Sequence, residues 1–168
     1  MISDFDSFDR KILDLVQRNC QLKAEIIGEM VGLSASAVQR RVKRMKSEGI
    51  IVSETAVVNA KTFSKAITFV AGVELERDNY DAIPRLQKWA STRDEIQQIY
   101  YVTGDVDLIL IIIAEDTDAY DAIAARIMHN NPHIRRISTN VVLRTLKSSL
   151  FVPIDGVDAP DWQQCPTS

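Results

Sequence analysis

Asp105 and Asp107 are the first candidates for chemistry, because only one residue separates them in a turn at residues 104–107. Two nearby carboxylates can act as a general acid and base or bind a metal ion. No His or Cys lies beside them, and an Asp in a turn commonly accepts a hydrogen bond from its own backbone. Ligand binding is better supported: Asp107 can accept a hydrogen bond from an α-amino group, and backbone amides around Gly104 can bind a carboxylate.

His129 and His133 have the i, i+4 spacing of metal ligands on a helix. Pro132 lies between them and should end the helix, so we expect a helix end and its exit loop rather than a metal site. The sequence contains no G-x-x-x-x-G-K-[ST], G-x-G-x-x-G or G-x-S-x-G pattern. We therefore predict no metal, no cofactor, no catalytic residues and no enzymatic activity.

The basic segment at residues 33–48, LSASAVQRRVKRMKSE, predicts a helix with two faces. Its apolar stripe, at helical spacing, consists of Val38, Val42 and Met45. Five Lys and Arg side chains lie within residues 40–46. Ser34 is a favourable N-cap, and Gly49 is favourable just beyond the C-terminus. A helix that enters the DNA major groove needs this arrangement, whereas a solvated surface helix is the alternative.

Two segments with apolar faces precede the basic helix, at residues 8–18 and 23–31. A short connection containing Gly32 follows them. Two helices, a short turn with Gly and a third helix form the helix-turn-helix arrangement. After Gly49, the β-branched residues 50–58 predict a strand beside the third helix, and hence a winged variant.

Composition and charge bound the class of protein. The chain has 168 residues and is 46% hydrophobic, without the roughly 20 consecutive apolar residues of a membrane helix. Its acidic start lacks a signal-peptide pattern, and Cys20 and Cys165 lie far apart, so we expect free thiols and a cytoplasmic protein. The pI is near 5.4, but residues 1–63 carry a net charge of +2 and residues 64–168 carry −5.

The periodicity changes after a polar segment at residues 59–65, and the following elements predict strand, helix, strand, strand, helix, strand. This is the ferredoxin-like βαββαβ order, whose sheet has one face that a partner must cover. We therefore predict an α+β chain. Its parts are a winged helix-turn-helix domain at 1–52, a linking strand and hinge at 53–65, a ferredoxin-like domain at 66–150 and an irregular tail at 151–168.

Three motifs resemble the Lrp/AsnC (leucine-responsive, feast/famine) family of prokaryotic transcriptional regulators. They are FDSFDRKIL at 5–13, VGLSASAVQRRVKRMKSEGII at 31–51 and VTGDVDLIL at 102–110. The similarity covers about residues 4–150. Val106 and Leu108 stand where the family often has aromatic residues, and either change could reshape a ligand pocket. The tail after Phe151 has no family counterpart.

The resemblance implies that the second domain binds an effector, usually an amino acid, and forms homodimers that assemble further, often to octamers. In the family, effectors bind near the turn between the second and third strands. Combined with the turn chemistry above, this places the effector near Thr103, Gly104, Asp105 and Asp107. The resemblance alone adds Tyr101 and His129 as neighbours.

Our main hypothesis is a regulator that binds specific double-stranded DNA and responds to an amino acid. We predict that the helix after Ser34 contacts bases through Ser36, Gln39 and Arg40. We predict that Arg41, Lys43 and Arg44 contact the phosphates of the DNA backbone. The five cations surround half of the helix, so Arg41 or Lys46 is expected to be solvated or to bridge to the domain. One alternative is a small-molecule-binding or catalytic ferredoxin-like protein whose basic helix is only a surface element. Another is an architectural DNA-binding protein without an effector.

Overall fold

The computed structural model describes residues 5–58, 66–76 and 81–156. Residues 59–65 of the predicted linker and Cys165 lie outside these ranges. The chain divides into two compact units, which we describe separately. The HTH unit joins Met1–Ala56 to Ser148–Ser168, and the sheet unit is Val57–Lys147.

The HTH unit contains the three predicted helices: α1 is Ser7–Arg18, α2 is Ala24–Val31 and α3 is Ala35–Ser47. Gly32 ends α2 in the left-handed region with φ = 77°, where glycine has no steric penalty. A Cβ on Gly28 would lie 2.5 Å from the Leu33 carbonyl oxygen, so the tight turn into α3 also needs glycine there. The core of the unit is formed by Ile12, Leu13, Leu15, Val16, Ile27, Val31, Val38 and Met45.

The predicted wing strand is absent from the described residues. Residues 52–58 have no regular secondary structure, and Val52 and Val57 are 89% and 96% exposed. Their β-branched side chains favour extended backbone, but a strand also needs a neighbouring strand to bond to. The segment is instead fixed beside α3 by an ion pair between Lys46 Nζ and Glu54 Oε2 at 2.8 Å.

The sheet unit confirms the predicted βαββαβ order. Its elements are β1 (Ile67–Leu75), α4 (Ala82–Ala90), β2 (Ile96–Tyr101), β3 (Leu108–Ala114), α5 (Thr117–Asn130) and β4 (Ile134–Val141). The strand order is β2-β3-β1-β4, and every neighbouring pair is antiparallel. Because α5 ends at Asn130, His129 and His133 do not share a helix, as the position of Pro132 predicts.

The two faces of the sheet differ in what covers them. Leu108, Leu110 and Ile112 of β3 are buried against both helices, together with Phe69 and Val73 of β1. The alternate residues point to the opposite face, as the two-residue period of a strand requires. That open face carries the half-buried side chains of Val70, Ile109, Ile111 and Ile113.

Three further observations concern the part of the chain that the structure describes. No helix among the described residues is long and apolar enough to span a bilayer. Cys20 is an exposed free thiol. The described part of the tail, up to residue 156, forms neither helix nor strand.

Candidate nucleic-acid interface and ligand-binding turn

The start of α3 is organised by Ser34. Its Oγ accepts a hydrogen bond from the Ala37 amide at 3.3 Å, which confirms Ser34 as the N-cap. The Ser34 and Ser36 hydroxyl oxygens are 3.2 Å apart and share a second hydrogen bond. No acidic residue occupies the first turn of α3. The leading turn therefore presents hydroxyl groups and the positive end of the helix dipole, both of which suit a phosphate or a base edge.

One face of α3 is open to solvent. Ser36, Gln39, Arg40 and Lys43 are all exposed. They recur at intervals of three and four residues, so they lie on one face. Within the described residues, no carboxylate forms an ion pair with Arg40 or Lys43. This exposed face of α3 combines a hydroxyl, an amide and two cations, the groups that contact base edges and phosphates in DNA-binding helices.

Arg41 and Arg44 point to a different partner, the carboxylate of Asp9 on α1. Arg41 Nη1 donates to Asp9 Oδ1 at 2.8 Å, and Arg44 Nη2 donates to Asp9 Oδ2 at 2.6 Å. Asp9 is fully buried, and the side chains of Arg41 and Arg44 are 22% and 38% exposed. The pair of bonds holds α3 against α1 and occupies two of the cations that we predicted at phosphates.

Asp6 completes this cluster at the N-terminus of α1. Its Oδ1 accepts from the Asp9 amide at 2.9 Å, and Asp9 Oδ2 accepts from the Asp6 amide at 3.3 Å, which is a capping box. Arg41 Nη1 also lies 2.9 Å from Asp6 Oδ2. The hydrogen bond from the Asp9 amide, with that from Arg41, holds the pKa of Asp6 below its ordinary value. In turn, the hydrogen bond to Asp9 raises the pKa of Arg41.

The ion-pair cluster of Asp6, Asp9, Arg41 and Arg44 was not predicted from the sequence, where Asp6 and Asp9 entered only as part of a family motif. Their three-residue spacing before an apolar-faced helix is itself a capping-box signal. That signal predicts the bonds within α1 but not the arginines of α3, because those lie 32 and 35 residues away. Arg41 and Lys46 were the two cations expected to be solvated or to bridge to the domain. Arg41 pairs with Asp9 of α1, and Lys46 pairs with Glu54.

The turn between β2 and β3 places three predicted effector residues at the surface. Thr103, Gly104 and Asp105 are exposed, and Gly104 has φ = 127°, a conformation that L side chains rarely adopt. The turn closes through a hydrogen bond from the Val102 amide to the Asp107 carbonyl at 2.9 Å. An incoming ligand could therefore approach the backbone at Gly104 closely.

Asp107 has a structural partner that the sequence did not indicate. Its Oδ2 accepts a hydrogen bond from the Leu75 amide at 2.7 Å, and its own amide donates to the Val73 carbonyl at 2.9 Å. The carboxylate thus extends the pairing of β1 and β3 beyond the end of the strand. Its other oxygen, Oδ1, receives no hydrogen bond from the residues that the structure describes.

Val106 lies over Gly72 on the open face of the sheet. A Cβ added at Gly72 would meet Val106 Cγ1 at 3.0 Å. The small residue in β1 and the aliphatic residue in the turn are therefore matched, which gives the departure at Val106 a packing reason.

Tyr101 and His129, the two residues that rested on resemblance alone, lie apart from the turn's hydrogen bonds. Tyr101 is 65% exposed at the end of β2 and lines an open groove of about 410 Å³ between α4 and β2. His129 is exposed in the last turn of α5. Among the described residues, no hydrogen bond joins either side chain to Thr103, Asp105 or Asp107. In the same ranges, no group of three His, Cys, Asp or Glu is arranged to hold a metal ion.

A helix-turn-helix with an exposed polar face, followed by a separate α+β domain, defines a class: DNA-binding regulators with a ligand-binding domain. Residues 5–46 match the AsnC-type helix-turn-helix domain, and residues 68–150 match the Lrp/AsnC ligand binding domain. A protein of Sinorhizobium fredii described as an uncharacterized HTH-type transcriptional regulator is 36% identical over 152 residues, which are 90% of each chain. The chain belongs to the Lrp/AsnC family of transcriptional regulators.

Solved structures support the same assignment. An AsnC family transcriptional regulator from Agrobacterium tumefaciens is similar with a TM-score of 0.80 and 27% identity, over 89% of this chain and 97% of that chain. A transcriptional regulator from Neisseria meningitidis in complex with L-methionine has the same fold, with a TM-score of 0.80 and 23% identity over 89% and 97% of the two chains. The protein is thus a DNA-binding transcriptional regulator with a ligand-binding domain.

Proposed function

We propose that the exposed face of α3 binds double-stranded DNA in the major groove. Ser36, Gln39 and Arg40 contact base edges, Lys43 contacts a phosphate, and Ser34 positions the leading turn. Arg41 and Arg44 hold the helix to α1 through Asp9 and make little contact with phosphates. The observation that carries this assignment is the separation of the cations into an exposed pair and a pair bonded to a buried carboxylate.

The experiment is selection of bound sites from a random duplex library, followed by titrations of the selected site and a scrambled duplex at several salt concentrations. A regulator of specific operators should enrich a recurrent sequence and bind it at least about 10³-fold more tightly than the scrambled duplex. Equal affinity for both duplexes would favour the architectural alternative. No salt-dependent binding to either would remove the DNA assignment.

The effector proposed for the sheet unit is an amino acid or a similar small zwitterion, bound at the turn of residues 103–107. Backbone amides near Gly104 would receive its carboxylate, and Asp105 with Asp107 Oδ1 would receive its ammonium group. The exposed turn, its open backbone at Gly104 and its two carboxylates support this site. The L-methionine complex of the Neisseria meningitidis regulator supports the class of ligand. Tyr101 and His129 remain candidates from neighbouring elements.

Calorimetry with a panel of amino acids on the full chain tests this proposal. An amino acid that binds the wild type and loses affinity in Asp105→Ala and Asp107→Ala supports the turn. The control is Asp121→Ala, which removes an exposed carboxylate from α5. Equal binding by all four proteins would move the site elsewhere, and no binding at millimolar concentration would remove the amino-acid effector.

We also propose that the open face of the sheet pairs with that of a second copy, and that such dimers assemble into a higher oligomer, often an octamer in this family. Val70, Ile109, Ile111 and Ile113 form a contiguous apolar surface across β1 and β3. A monomer would expose this surface to water, which is unfavourable in proportion to its apolar area. In a homodimer, two copies of α3 can read two half-sites on the DNA. We propose that the protein acts in this form in the cytoplasm.

Sedimentation of the full chain tests the dimer. Ile111→Asp puts a charge at the centre of the open face and should yield monomers at micromolar concentration. Leu143→Asp makes the same change at a side chain that is 96% exposed beyond β4, and should leave the wild-type assembly intact. A wild type that is monomeric at tens of micromolar, or an Ile111→Asp variant that assembles normally, would contradict this interface.

A further inference from the structure

The tail after β4 returns to the HTH unit. The chain passes from the HTH unit to the sheet unit after Ala56, and back again after Lys147. The family models of the two domains end at residues 46 and 150, so the segment from Phe151 onward lies beyond both. The structure describes this segment as far as residue 156 and places it against α1.

Gln17 of α1 holds the backbone of the tail with both ends of its side-chain amide. Gln17 Nε2 donates to the Val152 carbonyl at 3.1 Å, and Gln17 Oε1 accepts from the Val152 amide at 2.8 Å. The side chain thus forms the double hydrogen bond that a neighbouring strand would form with an extended residue. Such a contact fixes the register of the tail on α1 and satisfies both backbone groups of Val152.

Two side chains of the tail are turned toward the HTH unit, and their neighbours are exposed. Leu150 and Val152 are 86% and 64% exposed, whereas Phe151 and Ile154 are half-buried. The Arg18 guanidinium lies 4.3 Å from the centre of the Phe151 ring, a cation–π contact. Ile154 packs against the apolar core of the HTH unit.

Other residues of α1 prepare this surface. Arg18 Nε and Nη2 each donate a hydrogen bond to the Asp14 carboxylate at 3.2 Å. These two bonds fix the orientation of the guanidinium that contacts the Phe151 ring. Arg10 Nη1 donates to the Asp155 carbonyl at 3.0 Å. The α1 residues in these contacts recur at i, i+4, i+7 and i+8, which places them on one side of the helix: Arg10, Asp14, Gln17 and Arg18.

We propose that residues 150–155 form a strap that locks α1 and gives the HTH unit a second covalent connection to the sheet unit. The helix it binds is the one whose Asp9 holds Arg41 and Arg44 of α3. The strap therefore holds the helix to which α3 is bonded. Its other end continues through residues 142–149 to β4 of the sheet unit.

Hydrogen exchange on the full chain tests the strap with two matched pairs of variants. Gln17→Glu keeps the acceptor for the Val152 amide but opposes the Val152 carbonyl with a carboxylate, and Gln21→Glu makes the same charge change at an exposed site. Phe151→Ala removes the ring over Arg18, and Leu150→Ala truncates its exposed neighbour. None of the four side chains belongs to the buried core, so the fold should survive each change.

In the wild type we expect the Val152 amide to be protected from exchange. Gln17→Glu and Phe151→Ala should speed exchange of Val152 and of the α1 amides about tenfold, whereas Gln21→Glu and Leu150→Ala should not. A Val152 amide that exchanges in the wild type at the rate of an unstructured peptide would overturn the strap. Equal behaviour within each pair would overturn it as well.

DNA binding supplies a second readout. Phe151→Ala should weaken binding to any duplex relative to Leu150→Ala, without changing the slope of log affinity against log salt, because it removes no cation. Equal affinities of the two variants would overturn the link between the strap and α3. A shallower slope in Phe151→Ala would instead assign the tail to direct DNA contact and overturn the proposal.

Discussion

The two sides of α3 carry the same kinds of cation in different surroundings. Arg40 and Lys43 are exposed, whereas Arg41 and Arg44 are bonded to the buried Asp9. A carboxylate that pairs with a guanidinium weakens the attraction of that cation to a phosphate, because the opposite charge lies close to it. We therefore propose that the exposed pair serves DNA binding and that the pair bonded to Asp9 serves folding, so that fewer cations contact phosphates than the basic run in the sequence suggests.

The turn of the sheet unit shows the same division between two aspartates. Asp105 is exposed, and Asp107 uses one carboxylate oxygen to bond the Leu75 amide. The two aspartates therefore differ in what they contribute to the stability of the sheet unit, although they lie only two positions apart. Substitutions in matched pairs can test both divisions.

The largest effect is expected from Asp9→Asn, which removes the only carboxylate that pairs with Arg44 among the described residues and leaves Arg41 paired with Asp6 alone. Removing one partner of a buried ion pair typically costs several kcal/mol, and partial exposure of the arginines brings our expectation to about 3 kcal/mol of unfolding free energy. Denaturant unfolding followed by helical circular dichroism measures it. Glu29→Gln, an exposed change in α2, should cost less than about 0.5 kcal/mol. Similar values for the two variants would mean that Asp9 does not hold α3.

Gln39→Ala should reduce discrimination between an operator and a scrambled duplex by about 1–3 kcal/mol, because a side-chain amide can pair bidentately with adenine. Competition titrations measure this discrimination directly. Ser47→Ala, also exposed but at the far end of α3, is the control and should leave discrimination unchanged. An equal loss of affinity for both duplexes would make Gln39 a positioning residue rather than a base-reading one.

Asp107→Ala should destabilise the sheet unit by about 1–2 kcal/mol, because the half-buried Leu75 amide loses its acceptor. Asp105→Ala removes a carboxylate that bonds no backbone amide among the described residues, so its effect should stay within about 0.5 kcal/mol. Thermal unfolding without added amino acid separates this effect from ligand binding. Equal destabilisation by the two variants would contradict the distinction between them.

Asp6→Asn gives the smallest expected effect and depends on pH. The lowered pKa of Asp6 means that its ionised form favours the folded state. This stability is present above the ordinary pKa of 3.8 and is lost as pH falls through the lower folded-state pKa. Asn is also a favourable N-cap, so only the charge is lost. The free energy of unfolding of the variant should be lower by about 0.5 kcal/mol at pH 6 and should approach the wild-type value in acid. A difference independent of pH would remove Asp6 from the electrostatic cluster.

Much of the fold follows from local sequence patterns. The period of apolar residues predicts the three helices of the HTH unit, and Ser34 and Gly32 mark their ends as observed. The alternation through Ile67–Leu75 and the apolar run at Leu108–Ala114 predict β1 and β3, with one face left uncovered. These features depend on residues close in the chain, and their signals are therefore readable without a structure.

The features missed from the sequence depend on distant partners. The bond from Arg44 to Asp9 spans 35 residues, and the bond from Gln17 to Val152 spans 135. β-branched residues 50–58 predicted a wing strand, but local preference cannot supply the neighbour that a strand requires. The sequence identified α3 correctly, whereas the division of its cations required the position of α1.

The salt dependence of DNA binding by Lys43→Ala and Arg44→Ala tests the central claim most directly. Both changes remove one cation from α3: Lys43 from the exposed face, and Arg44 from the pair bonded to Asp9. Lys43→Ala should shallow the slope of log affinity against log salt by about one unit, because one phosphate contact is lost. Arg44→Ala, measured where the protein remains folded, should keep the wild-type slope. A shallower slope in Arg44→Ala together with an unchanged slope in Lys43→Ala would contradict the account.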